Sequence, residues 1–232
     1  MTRKTTSKTT KKPIRSYVRR EGRLTVGQKK ALHEFWPRYG VADDQSRLDA
    51  IKLFLNKRPI TLEIGFGNGQ NLINLALANP SNGFIGVDVH RPGVGHLLLE
   101  LNRLNITNVR ILLQDAVEAI PARFSENSLH SVLVYFPDPW PKKRHHKRRL
   151  LGPEFIHQLA RLLILRGTLQ IATDCDDYAQ SILESIEKEP LLENSAGTRC
   201  YAERPKERVI TRYEARGVHL GHQVIDFLAH RL

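Results

Sequence analysis

Three glycines, Gly65, Gly67 and Gly69, alternate with other residues directly after an apolar run that contains Glu63. Glycine lets the backbone turn sharply and approach a ligand without a Cβ atom in the way. In open α/β sheets, ligands bind at the carboxyl ends of the strands. The dinucleotide fingerprint G-x-G-x-x-G would need a glycine where this chain has Gln70. The segment therefore predicts either a ligand loop of another kind or an ordinary tight turn.

Two further acids stand where the next two apolar runs end, Asp88 after the second run and Asp115 after the third. A carboxylate at the first position can accept both hydroxyl protons of a ribose, and adenine recognition would fall at the second. Any one of these acids could instead be a helix cap or a solvated loop residue. Together with Glu63 they suit a cationic nucleoside without phosphate, and S-adenosylmethionine is such a molecule.

A proline-rich loop follows the fourth apolar run and carries Asp138 and Trp140. An aromatic ring in such a loop can stack on a base, and a carboxylate can accept hydrogen bonds from the N–H groups of that base. The basic residues KKRHHKRR follow at positions 142–149. The alternative is a stiff surface turn with Trp140 packed on the core. The density of charge beside the aromatic ring favours contact with RNA.

The chain of 232 residues has a net charge of +12, which favours a polyanionic partner. Residues 1–20 hold eight Lys and Arg and no acid, and we expect a disordered tail there. Cys175 and Cys200 form no C-x-x-C pair and no H-E-x-x-H motif occurs, so we expect neither a disulfide nor a metal. Without a secretory signal or a membrane-length apolar run, the expected location is the cytoplasm.

Short apolar runs alternate with helical stretches from Pro59 onward, which predicts a parallel sheet with helices on both faces. We place a helical extension at 21–57 and one α/β domain at 58–232. Near the end, Arg208–Tyr213 and Val224–Leu228 are interpreted as two strands, with one antiparallel strand at the edge. The predicted strands are Ile60–Ile64, Phe84–Val87, Val109–Leu113, Leu129–Phe136, Leu169–Ala172 and these two; the predicted helices of the domain are Gln70–Ala78, Val94–Leu104, Ala116–Phe124, Pro153–Leu165 and Tyr178–Lys188.

Several of these segments together resemble one family, the bacterial tRNA (guanine-N7-)-methyltransferases. The matching strings are LEIGFGNGQNL, IGVDVHRPGVG, QDA, YFPDPWPKKRHHKRRL, ATD and ITRYEARGVHLGH, which cover roughly residues 59–230. The proline-rich loop and the last string are the most specific. The resemblance implies a Rossmann-like class I methyltransferase fold with a seven-stranded sheet. It also implies methyl transfer from S-adenosylmethionine to N7 of a guanine in the variable loop of tRNA.

The resemblance assigns roles to individual residues of this chain. It implies that Glu63, Asp88, Asp115 and Asp138 line the cofactor and catalytic pocket, next to Gly65, Gly67 and Gly69. Asp88 stands where many members have Glu, and Arg212 and Tyr213 replace the usual Lys and Phe. The residues implied to contact tRNA are Lys142, Arg144, His145, His146, Lys147, Arg148, Arg149, Asp174, Thr211, Arg212, Tyr213 and Glu214.

Asp138 is the candidate catalytic residue, because a carboxylate can stabilise the positive charge that guanine gains on N7 methylation. Asp174 and Glu214 could accept from guanine N–H groups, and we interpret His222 as structural. We expect tRNA as partner, no membrane, no obligate protein partner, and a monomer or weak homodimer. Three alternatives stay open: methylation of an exocyclic amine in RNA or DNA, a nicotinamide-dependent oxidoreductase, and a non-catalytic RNA-binding protein.

Overall fold

A computed structural model describes residues 22–44 and 46–232. Its centre is one seven-stranded sheet in the order β3-β2-β1-β4-β5-β7-β6. Only β7 runs antiparallel to its neighbours, so the pair β7 and β6 closes one edge of an otherwise parallel sheet. The strands are β1 (Ile60–Ile64), β2 (Gly83–Val87), β3 (Val109–Leu112), β4 (Leu129–Tyr135), β5 (Leu163–Thr173), β6 (Leu192–Asn194) and β7 (Ile225–Arg231).

Helices cover both faces of the sheet, because its strands carry buried apolar side chains on each side. One apolar cluster packs α6, α7 and α8 on the sheet, and the other packs α1, α4 and α5 on the opposite face. The helices are α1 (Val26–Glu34), α2 (Trp36–Tyr39), α3 (Ala50–Phe54), α4 (Gln70–Ala78), α5 (Arg91–Arg103), α6 (Ala116–Arg123), α7 (Pro153–Leu162), α8 (Asp176–Glu187) and α9 (Arg212–His219).

The described part of the segment before β1 contains the three short helices α1, α2 and α3 and packs on the domain. Helix α1 contacts α5, and Tyr39 of α2 is fully buried. Arg123, with a side chain only 2% exposed, donates to the carbonyl oxygens of Ala42 (2.9 Å) and Ser46 (2.6 Å) and so ties this segment to α6. The predicted tail at 1–20 lies outside the described residues. Within 22–44 and 46–232, no helix combines the length and apolar character that crossing a membrane requires.

The predicted fold class, a mostly parallel seven-stranded sheet with one antiparallel strand at the edge, is confirmed, with the detail that the antiparallel strand β7 is second from the edge and β6 is outermost. Two element assignments are wrong. Leu163–Leu165 begins β5 and does not end the preceding helix. Arg208–Tyr213 is not a strand, because Thr211 caps α9: its side chain accepts a hydrogen bond from the backbone N–H of Glu214 at 3.2 Å. The partner of β7 at the sheet edge is β6 instead.

Candidate active site

A cavity of about 330 Å³ opens at the carboxyl ends of β1, β2 and β4. This is the size and position expected for a small-molecule site in an α/β sheet. Three carboxylates line it, and among the described residues no Lys or Arg does. The lining residues are Ile64, Gly65, Gly67, Val87, Asp88, Val89, His90, Gln114, Asp115, Ala116, Val134, Tyr135, Phe136, Pro137, Asp138 and Leu150.

The glycine loop after β1 packs tightly against the start of α5. A Cβ atom on Gly93 would lie 2.0 Å from the carbonyl oxygen of Gly67, closer than a Cβ atom approaches another heavy atom in protein structures. Gly69 has φ +79 and forms the N-cap of α4, where a Cβ atom would meet Leu97 at 2.5 Å. Both close approaches fix the path of the loop, so backbone atoms of Gly65 and Gly67 form one wall of the cavity.

Asp88 organises this wall through both of its carboxylate oxygens. Oδ2 accepts from the backbone N–H of Gly67 at 2.8 Å, and Oδ1 accepts from that of His90 at 2.8 Å. Burial raises the pKa of Asp88, and the two backbone hydrogen bonds oppose this shift. Each oxygen keeps a further lone pair that can accept from a ligand hydroxyl. Asp115 also lines the cavity and caps α6 by accepting from Val117 N at 3.0 Å.

Glu63 lies behind the cavity wall and is not among the lining residues. It is 4% exposed, and Oε2 accepts from Asn71 Nδ2 at 3.0 Å. Burial raises the pKa of Glu63 from 4.5 to about 8; the Asn71 hydrogen bond opposes this shift, and the nearby charge of Asp88 adds to it. Glu63 is therefore mostly protonated at neutral pH. Because it does not line the cavity, it would affect a bound ligand only indirectly, through the residues that do.

The raised pKa of Glu63 predicts how stability depends on pH. The folded state holds this proton more tightly than the unfolded chain, so the free energy of unfolding falls as pH rises from about 4.5 to about 8. Glu63→Gln removes that loss while keeping an acceptor for Asn71. The stability of the variant relative to the native chain should grow by up to about 1.4 kcal/mol per pH unit across this window. Urea unfolding at pH 5.5 and 7.5 measures it; an equal difference at both pH values would count against a buried, protonated Glu63.

The loop after β4 has an unusual backbone at both ends. Phe136 has φ +53 and Trp140 has φ +46, in the left-handed region that non-glycine residues seldom occupy. Two hydrogen bonds hold the loop there: Phe136 N–H donates to Ala172 O at 2.8 Å, and Arg149 Nε donates to Pro139 O at 2.9 Å. This loop carries Asp138 to the edge of the cavity.

The basic residues after this loop divide into two groups. Lys143–Arg148 forms a short 3-10 helix in which Lys143, Arg144 and Lys147 are exposed, as is Lys142 before it. The guanidinium of Arg148 lies 4.9 Å from the centre of the Trp140 ring, and the His145 ring meets the edge of the same indole. His146 lies 3.5 Å from Asp177.

Arg149 belongs to the interior side of this segment. Its side chain is 7% exposed, forms an ion pair with Asp177 and packs on the Tyr178 ring at 4.8 Å. Arg149 is thus bonded to other parts of this protein, with Tyr178 buried and Asp177 exposed, whereas the residues at 142, 143, 144 and 147 offer an exposed cationic surface.

The end of β5 and helix α9 lie beside Phe136 of the loop after β4. Asp174, with a side chain 12% exposed, accepts from the Tyr213 hydroxyl at 3.2 Å and lies 3.3 Å from Nδ1 of the half-exposed His222. The Tyr213 ring lies 5.2 Å from the ring of Phe136. Glu214 points inward, 4% exposed and bonded to Arg208. The side chain of Arg212 lies outside the described part of the structure.

Sequence reasoning missed three residues beside the site: Tyr135, Arg208 and Asp226. Tyr135 lines the cavity, donates to Gln170 Oε1 at 2.9 Å and has a raised pKa, chiefly because it is buried. Arg208 and Asp226 form a buried ion cluster with Glu214. Tyr135 opens the matching string YFPDPWPKKRHHKRRL but no role was assigned to it, and no local motif marks Arg208 or Asp226, since their contacts join residues from separate parts of the chain.

The donor set of the cavity fits a cationic nucleoside. Asp88, Asp115 and Asp138 supply negative charge, and the described lining offers no Lys or Arg that would attract a phosphate. Within the described ranges, no group of three His, Cys, Asp or Glu side chains could hold a metal ion.

Comparison with known proteins identifies relatives over most of the chain. A family model described as "Putative methyltransferase" matches residues 57–227. A tRNA (guanine-N(7)-)-methyltransferase from Alkalilimnicola ehrlichii is 47% identical over 228 residues, which cover 97% of this chain and 96% of that protein.

Solved structures share the fold at low sequence identity. The 16S rRNA methyltransferase KamB superposes with a TM-score of 0.58 at 14% identity, covering 84% of this chain and 98% of KamB. A protein from Streptococcus mutans described as "a putative methyltransferase" in complex with SAH superposes with a TM-score of 0.52 at 15% identity, covering 79% of this chain and 94% of that one. At this identity the likeness extends to the fold alone.

Proposed function

The chain belongs to the tRNA (guanine-N(7)-)-methyltransferase family, and we propose that its carboxylate-lined cavity binds S-adenosylmethionine for methyl transfer to N7 of a guanine in the variable loop of tRNA. One observation carries this proposal: three carboxylates line the cavity without a described Lys or Arg, while exposed cations follow directly in the chain. The test is incorporation of labelled methyl from the donor into unmodified tRNA. A folded sample that leaves the RNA unlabelled would refute the proposal.

Different residues of the cavity bind different parts of the donor. Asp88 presents its free lone pairs to the ribose hydroxyls, and Asp115 lies where adenine would bind. The backbone of Gly65 and Gly67 leaves room for close approach, and Gly69 fixes the loop at the start of α4. Glu63 contributes from behind the wall by holding Asn71.

The acceptor requires little acid–base chemistry from the protein. When bound, the donor supplies a methyl group attached to a positively charged sulfur. Guanine N7 has an in-plane lone pair and no proton at neutral pH, so no base is needed to create the nucleophile. Alignment of the reacting groups can contribute about 7–11 kcal/mol in favourable cases. Asp138 stabilises the positive charge that develops on the guanine ring.

The RNA would lie across the basic segment and α9. Lys142, Arg144 and Lys147 contact phosphates, which position the substrate without reading its sequence. His145, His146 and Arg148 border this surface, whereas Arg149 supports it from inside. Asp174, Thr211, Arg212 and Tyr213 lie at the guanine side of the site, and Glu214 acts there through its bond to Arg208.

The division of the basic segment predicts two separable effects. Lys147→Ala should lower the slope of log K for tRNA binding against log salt by about 1, without a change in Tm, because one phosphate contact is lost. Arg149→Ala should lower Tm and leave the slope unchanged, because the Arg149 side chain is 7% exposed and packs on the buried Tyr178 ring while donating to the Pro139 carbonyl oxygen. Filter binding at several salt concentrations and thermal unfolding measure both.

Lys188→Ala is the control, since Lys188 follows α8 at the opposite end of that helix from Asp177. This substitution should change neither the salt slope nor Tm. An unaltered slope in Lys147→Ala would remove the basic segment from the RNA interface.

We further propose that residues 58–232 form the methyltransferase domain, 21–57 a helical extension and 1–20 a basic tail. The proposed location is the cytoplasm, and the proposed state is a monomer or weak homodimer without an obligate protein partner.

A further inference from the structure

The guanidinium group of Arg208 lies inside the protein, with its side chain 1% exposed. Nη1 and Nη2 donate to the two oxygens of Glu214 at 2.9 and 3.0 Å. Asp226 accepts from Nη2 at 3.0 Å and pairs with Nε at 2.9 Å. Both carboxylates are buried, 4% and 5% exposed, so neither charge is stable there without its cationic partner.

Arg208 connects three parts of the site. Its guanidinium lies 5.6 Å from the ring centre of Tyr135 and 5.7 Å from that of Phe136, two residues that line the donor cavity. Glu214 belongs to α9, and Asp226 belongs to β7. A single side chain thus joins the wall of the donor cavity to the helix that carries Tyr213.

Helix α9 has little apolar packing to hold it in place. Among its residues whose side chains are described, Glu214 alone is buried, and Val218 is 56% exposed. Besides the Glu214–Arg208 ion pair, Tyr213 connects α9 to the site: its hydroxyl donates a hydrogen bond to Asp174, and its ring contacts that of Phe136. The position of α9 therefore depends on polar contacts. Of those named here, the Glu214–Arg208 ion pair is the buried one.

We propose that Arg208 is a positioning residue for methyl transfer, an inference that rests on the function proposed above. Arg208 holds α9 through Glu214 and is itself fixed by Asp226, Tyr135 and Phe136. Tyr213 and Asp174 are thereby kept beside Phe136, which lines the donor cavity. The planar guanidinium is needed because its donors reach both carboxylates at once, which an ammonium group cannot reproduce.

Arg208→Lys tests the proposal, since it keeps the charge and loses the planar fork. We expect kcat/KM for tRNA to fall about 10- to 100-fold, the loss typical of a misplaced substrate. The Kd for S-adenosylhomocysteine should not change, because the cavity lining is intact. Amide hydrogen exchange should accelerate in residues 212–219 and stay unchanged in β1 and β2.

Arg123→Lys is the matched control, because Arg123 is also buried but binds the N-terminal segment. It should lower Tm while leaving kcat/KM and exchange in α9 unchanged. A second variant combines Arg208→Met, Glu214→Gln and Asp226→Asn. This variant leaves no unpaired buried charge, so it folds even where Arg208→Lys does not, and it should show the same loss for tRNA with retained binding of S-adenosylhomocysteine.

Native kcat/KM in either Arg208 variant would overturn the inference, and so would an equal loss in Arg123→Lys. A native chain that transfers no methyl group to tRNA would refute the proposed function instead, and the exchange measurement on α9 would still decide whether Arg208 holds the helix.

Discussion

Asp138→Ala should lower kcat for tRNA methylation by about 100- to 1,000-fold, the loss typical when one preorganised charge or hydrogen-bonding group is removed from a transition state. Asp138 reaches the cavity on a loop whose backbone is strained at Phe136 and Trp140. In the proposed function, its carboxylate stabilises the positive charge that develops on guanine. Single-turnover rates with saturating donor and tRNA measure the effect without a contribution from product release.

Asp138→Asn separates charge from shape in this prediction. The amide keeps the size and one acceptor oxygen, so binding of S-adenosylhomocysteine should remain close to native in both variants while turnover is lost in both. Native turnover in Asp138→Asn would show that the charge is dispensable. A complete loss of donor binding in Asp138→Ala would show that Asp138 acts in cofactor binding and not in catalysis.

Gly93→Ala should weaken donor binding about 100-fold, equivalent to roughly 2.7 kcal/mol. The new Cβ atom would lie 2.0 Å from the carbonyl oxygen of Gly67, and because that neighbour is backbone, the glycine loop must move. The movement would also break the 2.8 Å hydrogen bond from Gly67 N–H to Asp88. Calorimetric titration with S-adenosylmethionine measures the change.

Gly152→Ala is the control for this substitution. Gly152 precedes α7, and a Cβ atom there would have no neighbour within 4 Å. Donor affinity and Tm should both stay close to native. If Gly93→Ala bound the donor as tightly as Gly152→Ala does, the contact between the glycine loop and α5 would not shape the cavity.

The parallel part of the sheet was predictable because its signals are local. Each of the first four strands is a short apolar run with a glycine, an acid or a proline just after it, and helices separate them. The acids at the strand ends follow from the same pattern, since the carboxyl ends of parallel strands share one edge. Asp88, Asp115 and Asp138 do line one cavity there.

The region around α9 was mispredicted because two signals compete in it. The apolar and aromatic residues at 208–213 favour a strand, whereas Thr211 and Glu214 have the spacing of a helix cap. The cap prevails because Glu214 has a buried partner in Arg208, and this contact cannot be inferred from the spacing. The same limit applies to Glu63 and Arg149, whose burial depends on how separate elements pack.

The position of the transferred methyl group tests the central claim most directly. Native chain, unmodified tRNA and labelled donor are incubated, the RNA is digested to nucleosides, and the labelled nucleoside is identified by mass spectrometry. Methyl transfer to N7 predicts 7-methylguanosine as the labelled product. Label on an exocyclic amine, or no label from a folded chain that binds the donor, would contradict it.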